Sequence, residues 1–326
     1  MNRWAYRTVL PTYRLLQRVK NATTRLIDPP VVVLLYHRVT DLPSDPDMLA
    51  VSPDNFHRHL AYLKDRFPVV RLEDDWSVLR EPSVAITFDD GYADNVLEAL
   101  PILDGVGVPA TFFISTGNIG TDNEFWWDQL ERILLRDVSL PASFSLMDRQ
   151  YSRAWPTETM AQRQALYVDL NALAQKVETE RLEYWLEQLS RWAGQENPGA
   201  GLNRSLTENE LQRLARNPWA TIGAHTVSHA ALSALSEKQQ RYEIFTSKAV
   251  LEEQTGTKIN VFSYPFGNRK HYNRTSINLC REAGFVKSAA NFPGQVHRWT
   301  DPYQLPRRIV RNWDLDTFVT NMKYWI

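Results

Sequence analysis

The stretch Val84-Ala85-Ile86-Thr87-Phe88-Asp89-Asp90-Gly91-Tyr92 constrains this chain more than any other, because an apolar run ends there on two adjacent carboxylates. Ser83 to Thr87 is rich in β-branched residues and reads as a buried strand, and Gly91 supplies the backbone freedom of a sharp turn. Two carboxylates at such a strand end do not both ionise cheaply without a cation between them, so the pair either shares a proton or faces a metal. The plainer reading is Asp-Gly turn chemistry, with one Asp capping a helix that begins near Asp94.

A partner for the pair lies further along. Gly223-Ala224-His225-Thr226-Val227-Ser228-His229 follows a second short apolar strand, Ala220 to Ile222, and spaces two imidazoles four residues apart. On a helical turn that spacing puts both rings on one face. Taken alone, such a pair is surface or core filler. Two neutral imidazoles joined to a carboxylate make a three-ligand site with an open position for water, the layout of a hydrolytic metal centre.

Thr87-Phe88-Asp89-Asp90-Gly91, then His225-Thr226-x-x-His229, then Ser263-Tyr264-Pro265-Phe266-Gly267 resembles the metal-dependent polysaccharide deacetylases, the carbohydrate esterases of family four. The motifs arrive in the family's order and cover roughly residues 31–121 and 205–312. The resemblance implies an α/β fold, an irregular (β/α) barrel with about seven strands, and hydrolysis of an N-acetyl group on a sugar. Val31 to Tyr36 is then the first barrel strand, and Tyr36-His37 at its end is similar to the permuted arrangement of the poly-N-acetylglucosamine deacetylases.

By this resemblance Asp90, His225 and His229 hold a divalent metal and Asp89 is the general base; the residues alone leave open which Asp does which. His37 is the expected general acid, with a core histidine as the alternative and His297 as a fallback acid. The backbone N–H of Tyr92 is the expected oxyanion donor. The family's Arg that contacts the catalytic Asp is replaced here by Ser263, and Arg307, ahead of the final apolar strand Ile309-Val310, is the candidate substitute. A guanidinium beside Asp89 would hold it ionised and turned; a surface Arg is the alternative. Zinc is the default for two His and one carboxylate, although cobalt, nickel and iron also suit the set.

Outside the resemblance, the first 30 residues form a basic arm, with Arg3, Arg7, Arg14, Arg18, Lys20 and Arg25 against Asp28. The arm offers peripheral contact with an anionic bilayer or a helix packed on the barrel. It lacks the apolar core of a secretory signal, and the chain has no apolar run near 18 residues, so a cytoplasmic protein is expected. A net charge of −1 argues against a nucleic-acid partner, and the single Cys280 excludes an intramolecular disulfide. From about 122 to 218 the pattern turns helical, with 138–155 separating helical stretches, which reads as a helical insertion in one barrel spanning 31–326. Its Phe125-Trp126-Trp127-Asp128 reads as buried anchors or as a sugar-stacking platform. His57 and His59 read as surface residues. The expected substrate is an amino-sugar glycan or its lipid-linked precursor; an acetyl ester, a non-carbohydrate amide and a non-catalytic glycan-binding role are the alternatives.

Overall fold

The fold is seen in a computed structural model that describes residues 28–195 and 201–326. The basic arm up to residue 27 and most of the loop expected at 196–201 lie outside the described residues.

The strands are β1 (Val31–Tyr36), β2 (Arg38–Val39), β3 (Ala50–Val51), β4 (Ser83–Phe88), β5 (Ala110–Ile114), β6 (Ser143–Met147), β7 (Ser152–Pro156), β8 (Ala220–Ala224), β9 (Val261–Ser263), β10 (Lys287–Ala289) and β11 (Arg308–Ile309). Seven of them make one parallel sheet in the order β10-β9-β8-β5-β4-β1-β11. Helices connect the strands on the outside, as parallel crossovers require, and the sheet curls into an irregular (β/α) barrel. The segment leading to β11 spans the two edges of the curl. Leu305 exchanges backbone bonds with β10 and the residue that follows it (Leu305 N to Ser288 O 3.0 Å, Ala290 N to Leu305 O 2.9 Å), whereas Leu34 and Leu35 of β1 pair with Arg308 and Ile309.

Side chains of the central strands alternate between two apolar layers. Val32, Leu34, Tyr36, Ile86 and Phe88 pack outward with the helices, while Val31, Val33, Ala85, Phe113, Val261, Ala289 and Leu305 fill the barrel interior. Gly223 leaves room for Phe113, since a Cβ there would lie 2.4 Å from that ring.

The helix-rich middle has its own apolar cluster. Helices Trp126–Leu134, Met160–Ala174 and Thr179–Ala193 bury Trp127, Leu130, Leu166, Leu170, Trp185 and Leu189 together with Tyr92. The stretch 138–155, read from sequence as a separator, instead contains the antiparallel hairpin β6–β7. Phe144 and Leu146 alternate inward there, a two-residue period over a strand of only five residues that Pro141 and the flanking polar residues conceal.

His59 corrects the surface reading made for it. It is fully buried, its Nε2 lies 2.9 Å from the Trp313 carbonyl, and its ring stacks on Phe318, so it ties helix Pro53–Arg66 to the last helix, Leu315–Trp325. His57, on the other side of the same helix, is exposed. Burial pushes the His59 imidazole down to about 4. The native state therefore favours the neutral ring; its stabilising effect is complete above the ordinary value of 6.5 and is lost as pH falls from 6.5 toward 4. Urea unfolding across that window should show a loss of about 3 kcal/mol from this residue, and His59→Leu should flatten the slope.

Candidate active site

Carrying the two-residue period of β1 and β4 past their ends puts His37 and Asp89 on the inner side, at the C-terminal rim of the barrel. His37, Asp89, Asp90, His225 and His229 line one cavity of about 430 Å³, with Trp126, Trp127, Phe266, Asn291 and Arg311 among its other walls.

Asp89 lies at its base, buried, in a two-pronged ion pair with Arg307. Arg307 Nη1 donates to Asp89 Oδ1 at 2.7 Å and Nη2 to Oδ2 at 2.6 Å. The guanidinium is only 1% exposed, and it also donates to the Ala290 carbonyl (2.8 Å), Thr87 Oγ1 (3.2 Å) and Ser263 Oγ (2.9 Å). Ser263 Oγ donates in turn to Asp89 Oδ2 at 3.2 Å. Burial alone would raise the Asp89 carboxyl, but the Arg307 charge holds it below the ordinary carboxylate value.

Asp90 and the two imidazoles converge beside it. His229 Nε2 lies 3.2 Å and His225 Nε2 3.5 Å from Asp90 Oδ1, and the three possible ligand atoms fall within 4.8 Å of one another. Donors bonded to one tetrahedral ion at about 2.1 Å lie ~3.4 Å apart, so the spacing suits a small divalent cation. The chemistry of the set agrees. His225 Nδ1 lies 2.7 Å from the Ser263 carbonyl, which makes it the N–H donor and turns the lone pair of a buried, unpartnered Nε2 toward Asp90.

The two histidines do not share a helical turn, contrary to the sequence reading. They lie on a loop after β8 in which Thr226 (φ 67°) and His229 (φ 54°) are left-handed, and Asp90 (φ 76°) is as well. Such non-glycine conformations persist only where surrounding bonds over-determine them. Glu243 supplies those bonds: its buried carboxylate accepts from Val227 N (2.8 Å), Ser228 N (2.9 Å) and Ser228 Oγ (2.6 Å). Gly91 (φ 87°) completes the turn after Asp90, and a Cβ there would lie 2.9 Å from Ile114.

His37 is half-buried at the cavity wall. Burial lowers its pKa, against the pull of Asp90 and Asp89. The turn after β4 holds its backbone: Asn95 Nδ2 donates to the His37 carbonyl (2.8 Å), and Asp94 accepts from Val39 N (3.0 Å) and Arg38 Nε (2.9 Å). Asn95 begins a wide π-helical turn, Asn95–Ala99, ahead of helix Leu100–Val106, where the sequence suggested a helix beginning near Asp94. The Tyr92 side chain turns away from the cavity; its hydroxyl donates to Asp128 at 2.7 Å and accepts from Trp127 Nε1 at 2.7 Å. His297 is remote. Its neighbour Val296 pairs with Val31, at the opposite end of β1 from His37, and its ring faces Asp28, so geometry removes it as a fallback acid.

A model of the family described as polysaccharide deacetylase matches residues 77–162 and 175–287, more than half of the chain. This chain belongs to the polysaccharide deacetylase family. Among its relatives is YxkH of Bacillus subtilis (strain 168), a protein named as a polysaccharide deacetylase, 21% identical over 282 residues that make up 84% of this chain and 69% of YxkH. The fold is shared with the deacetylase PplD of Streptococcus pyogenes, solved with acetate (TM-score 0.58, 17% identity, 90% of this chain and 99% of that one). It is also shared with IcaB of Ammonifex degensii (TM-score 0.56, 18% identity, 91% of this chain and 97% of that one). The polysaccharide deacetylase is thus a hydrolase that removes acetyl groups from glycans.

Sequence reading did not find Glu243, Asn95 or Asp94. Asp94 and Asn95 stand within six residues of Asp89, near enough for their polarity to have been a signal; Glu243 lies in a long polar helix that offers none. Arg307→Leu should cost about 3–5 kcal/mol in urea unfolding, because it leaves the buried Asp89 charge unpaired. Adding Asp89→Asn to that variant should recover part of the loss, and an undiminished penalty in the double variant would refute the pairing as its cause.

Proposed function

We propose that this protein is a metal-dependent N-deacetylase of an amino-sugar glycan, with Asp90, His225 and His229 holding the cation. The observation that carries this reading is a three-ligand cluster beside a carboxylate kept ionised by Arg307, with an imidazole, His37, on the wall of the same cavity. A divalent cation bound there, with zinc the default for two imidazoles and a carboxylate, supplies Lewis-acid polarisation of the acetyl carbonyl and lowers the pKa of water toward ~7.

The chain's own groups do the remaining work. Asp89 accepts the proton of the attacking water: Oδ2 takes bonds from Arg307 and Ser263, Oδ1 takes one from Arg307 and keeps a lone pair for that proton, and the Arg307 charge keeps the carboxyl from being protonated beforehand. Arg307 and Ser263 fix the plane of that carboxylate. The backbone N–H of Tyr92, one residue beyond the Gly91 turn, is assigned as a donor to the oxyanion. His37 gives a proton to the departing nitrogen, which an amine needs and an activated ester's leaving group does not. Trp126 and Trp127 offer aromatic surface at the cavity wall against which a sugar ring can lie.

His225→Ala or His229→Ala should lose bound metal and activity together by elemental analysis and acetate release. Asp89→Asn should keep the metal and lose turnover by about 10²–10⁴-fold. A metal-free Asp89→Asn protein would instead make both carboxylates ligands. His37→Ala should cripple hydrolysis of an N-acetyl amide, remove the basic limb of its pH–rate profile and spare an activated acetyl ester. Equal losses on the two substrates would make His37 a structural histidine.

A further inference from the structure

The inner face of the closing strand carries more than Arg307. Arg307, Ile309 and Arg311 alternate along it: Arg307 meets Asp89 at the base, and Ile309 and Arg311 line the reactive cavity above. At ~3.3 Å per residue the Arg311 backbone stands about 13 Å further toward the rim than that of Arg307. The register with β1 fixes its neighbour. Leu35 pairs with Ile309, and its carbonyl accepts from Val310 N at 2.9 Å, so the same register carried two residues on sets His37 beside Arg311. Backbones paired in this way are about 4.8 Å apart.

One nitrogen anchors the Arg311 side chain. Nη1 donates to the Asp47 carbonyl at 2.9 Å and to the Met48 carbonyl, which leaves Nε and Nη2 without a partner among the described residues. No carboxylate among those residues forms an ion pair with Arg311 either. The acids whose charges act on it, Asp45 and Asp47, are bonded elsewhere: Asp45 accepts from Leu49 N (2.8 Å) and Ala50 N (2.9 Å), and Asp47 Oδ2 from the Tyr167 hydroxyl (2.7 Å). Arg311 is half-buried, and a cation withdrawn from water without a counter-ion is destabilising until a ligand supplies one. Lys270, exposed on the same cavity's wall, also lacks an ion pair. With Asp89 matched by Arg307 and Asp90 turned to the two imidazoles, these wall cations are opposed only by Asp47. Arg311 lies beyond residue 287, where the family match ends, so the match does not account for it.

We propose that Arg311 receives an anionic substituent, a phosphate or a carboxylate, on a sugar carbon next to the one that bears the acetamido group, and so makes this protein prefer a charged amino sugar. The inference rests on the deacetylase reading above. His37 meets the departing nitrogen in that reading, so the residue beside His37 faces the ring carbons that flank the nitrogen. The unused fork of Nε and Nη2 matches two oxygens of such a group.

The test compares kcat/KM for acetate release from methyl N-acetylglucosaminide, which is neutral, N-acetylglucosamine 1-phosphate and N-acetylmuramic acid, whose phosphate and carboxylate stand on the two flanking carbons. Wild type should favour one of the charged sugars over the neutral one by about tenfold or more, and the one favoured tells phosphate from carboxylate. Arg311→Gln should bring that ratio toward one, and Arg311→Lys, which keeps the charge and loses the fork, should retain part of it. If Arg311→Gln does not fold, the wild-type ratio should still fall as salt is raised. No preference for charge in wild type, or a preference that survives Arg311→Gln, overturns the proposal. An equal loss on all three sugars also overturns it and makes Arg311 a support of His37. Acetate from neutral N-acetylglucosamine tetramers but from none of the three sugars overturns the anion site and leaves the deacetylase reading standing; no acetate from the tetramers either overturns both.

Discussion

The paired bonds between Arg307 and Asp89 are the interaction on which the rest of this site depends. A carboxylate as buried as Asp89 needs an opposite charge at hydrogen-bond distance to stay ionised. The cation comes from a residue 218 positions away in sequence. It arrives because the last strand closes the barrel. Leu305 bonds to β10, Arg308 and Ile309 pair with β1, and Arg307, between them, points inward above Phe113. Barrel closure and the ionisation state of Asp89 are therefore one structural fact seen at two scales.

Around that pair the chain stores backbone strain and offsets it locally. Asp90, Thr226, His229 and Phe266 all take left-handed conformations that L-residues seldom adopt, and Asp90, His229 and Phe266 line the reactive cavity. Each strained turn has an anchor: Asp90's carbonyl accepts from Ser115 N at 3.2 Å, Glu243 holds the Val227-Ser228 peptide groups, Thr226 Oγ1 accepts from His229 N at 3.1 Å, and beside Phe266 the Gly267 carbonyl accepts from Asn291 N at 2.8 Å. The result is a set of donor atoms already in place before a cation or substrate binds, which spares the cost of organising them at that moment.

The insertion is joined to this centre by specific bonds. Thr179, at the start of its last long helix, has Oγ1 3.1 Å from Ser228 Oγ in the ligand loop, and Tyr167 reaches Asp47 on the barrel rim. Phe125 and Trp127 lie against the His229 ring, with centroids 6.2 and 4.7 Å away. In the Phe125-Trp126-Trp127 stretch the rings are anchors of the insertion's apolar cluster, as one of the two sequence readings had it, and Trp126 and Trp127 also form part of the cavity wall.

Much of the fold was legible because it is locally encoded. The helix Glu237–Thr255 and the capping box of Thr207 and Glu210 match their sequence patterns, and so does the burial of Cys280 on its amphipathic helix. Period, caps and turn chemistry act within a few residues and need no knowledge of the rest of the chain. The motifs likewise determined that carboxylates and imidazoles would stand at strand ends. Tertiary structure alone decided what those side chains touch. The turn that joins His225 to His229 is loop and not helix because Glu243 and Thr226 provide its bonds, and His59 is buried because the last helix packs over it. His297 fell out of the site because its loop leads to the other end of β1. Apart from the local bond of Thr226 to His229, the deciding partners, Glu243, the last helix and Val31, lie well outside the segment they fix, and contacts of that kind exist only once the elements have packed.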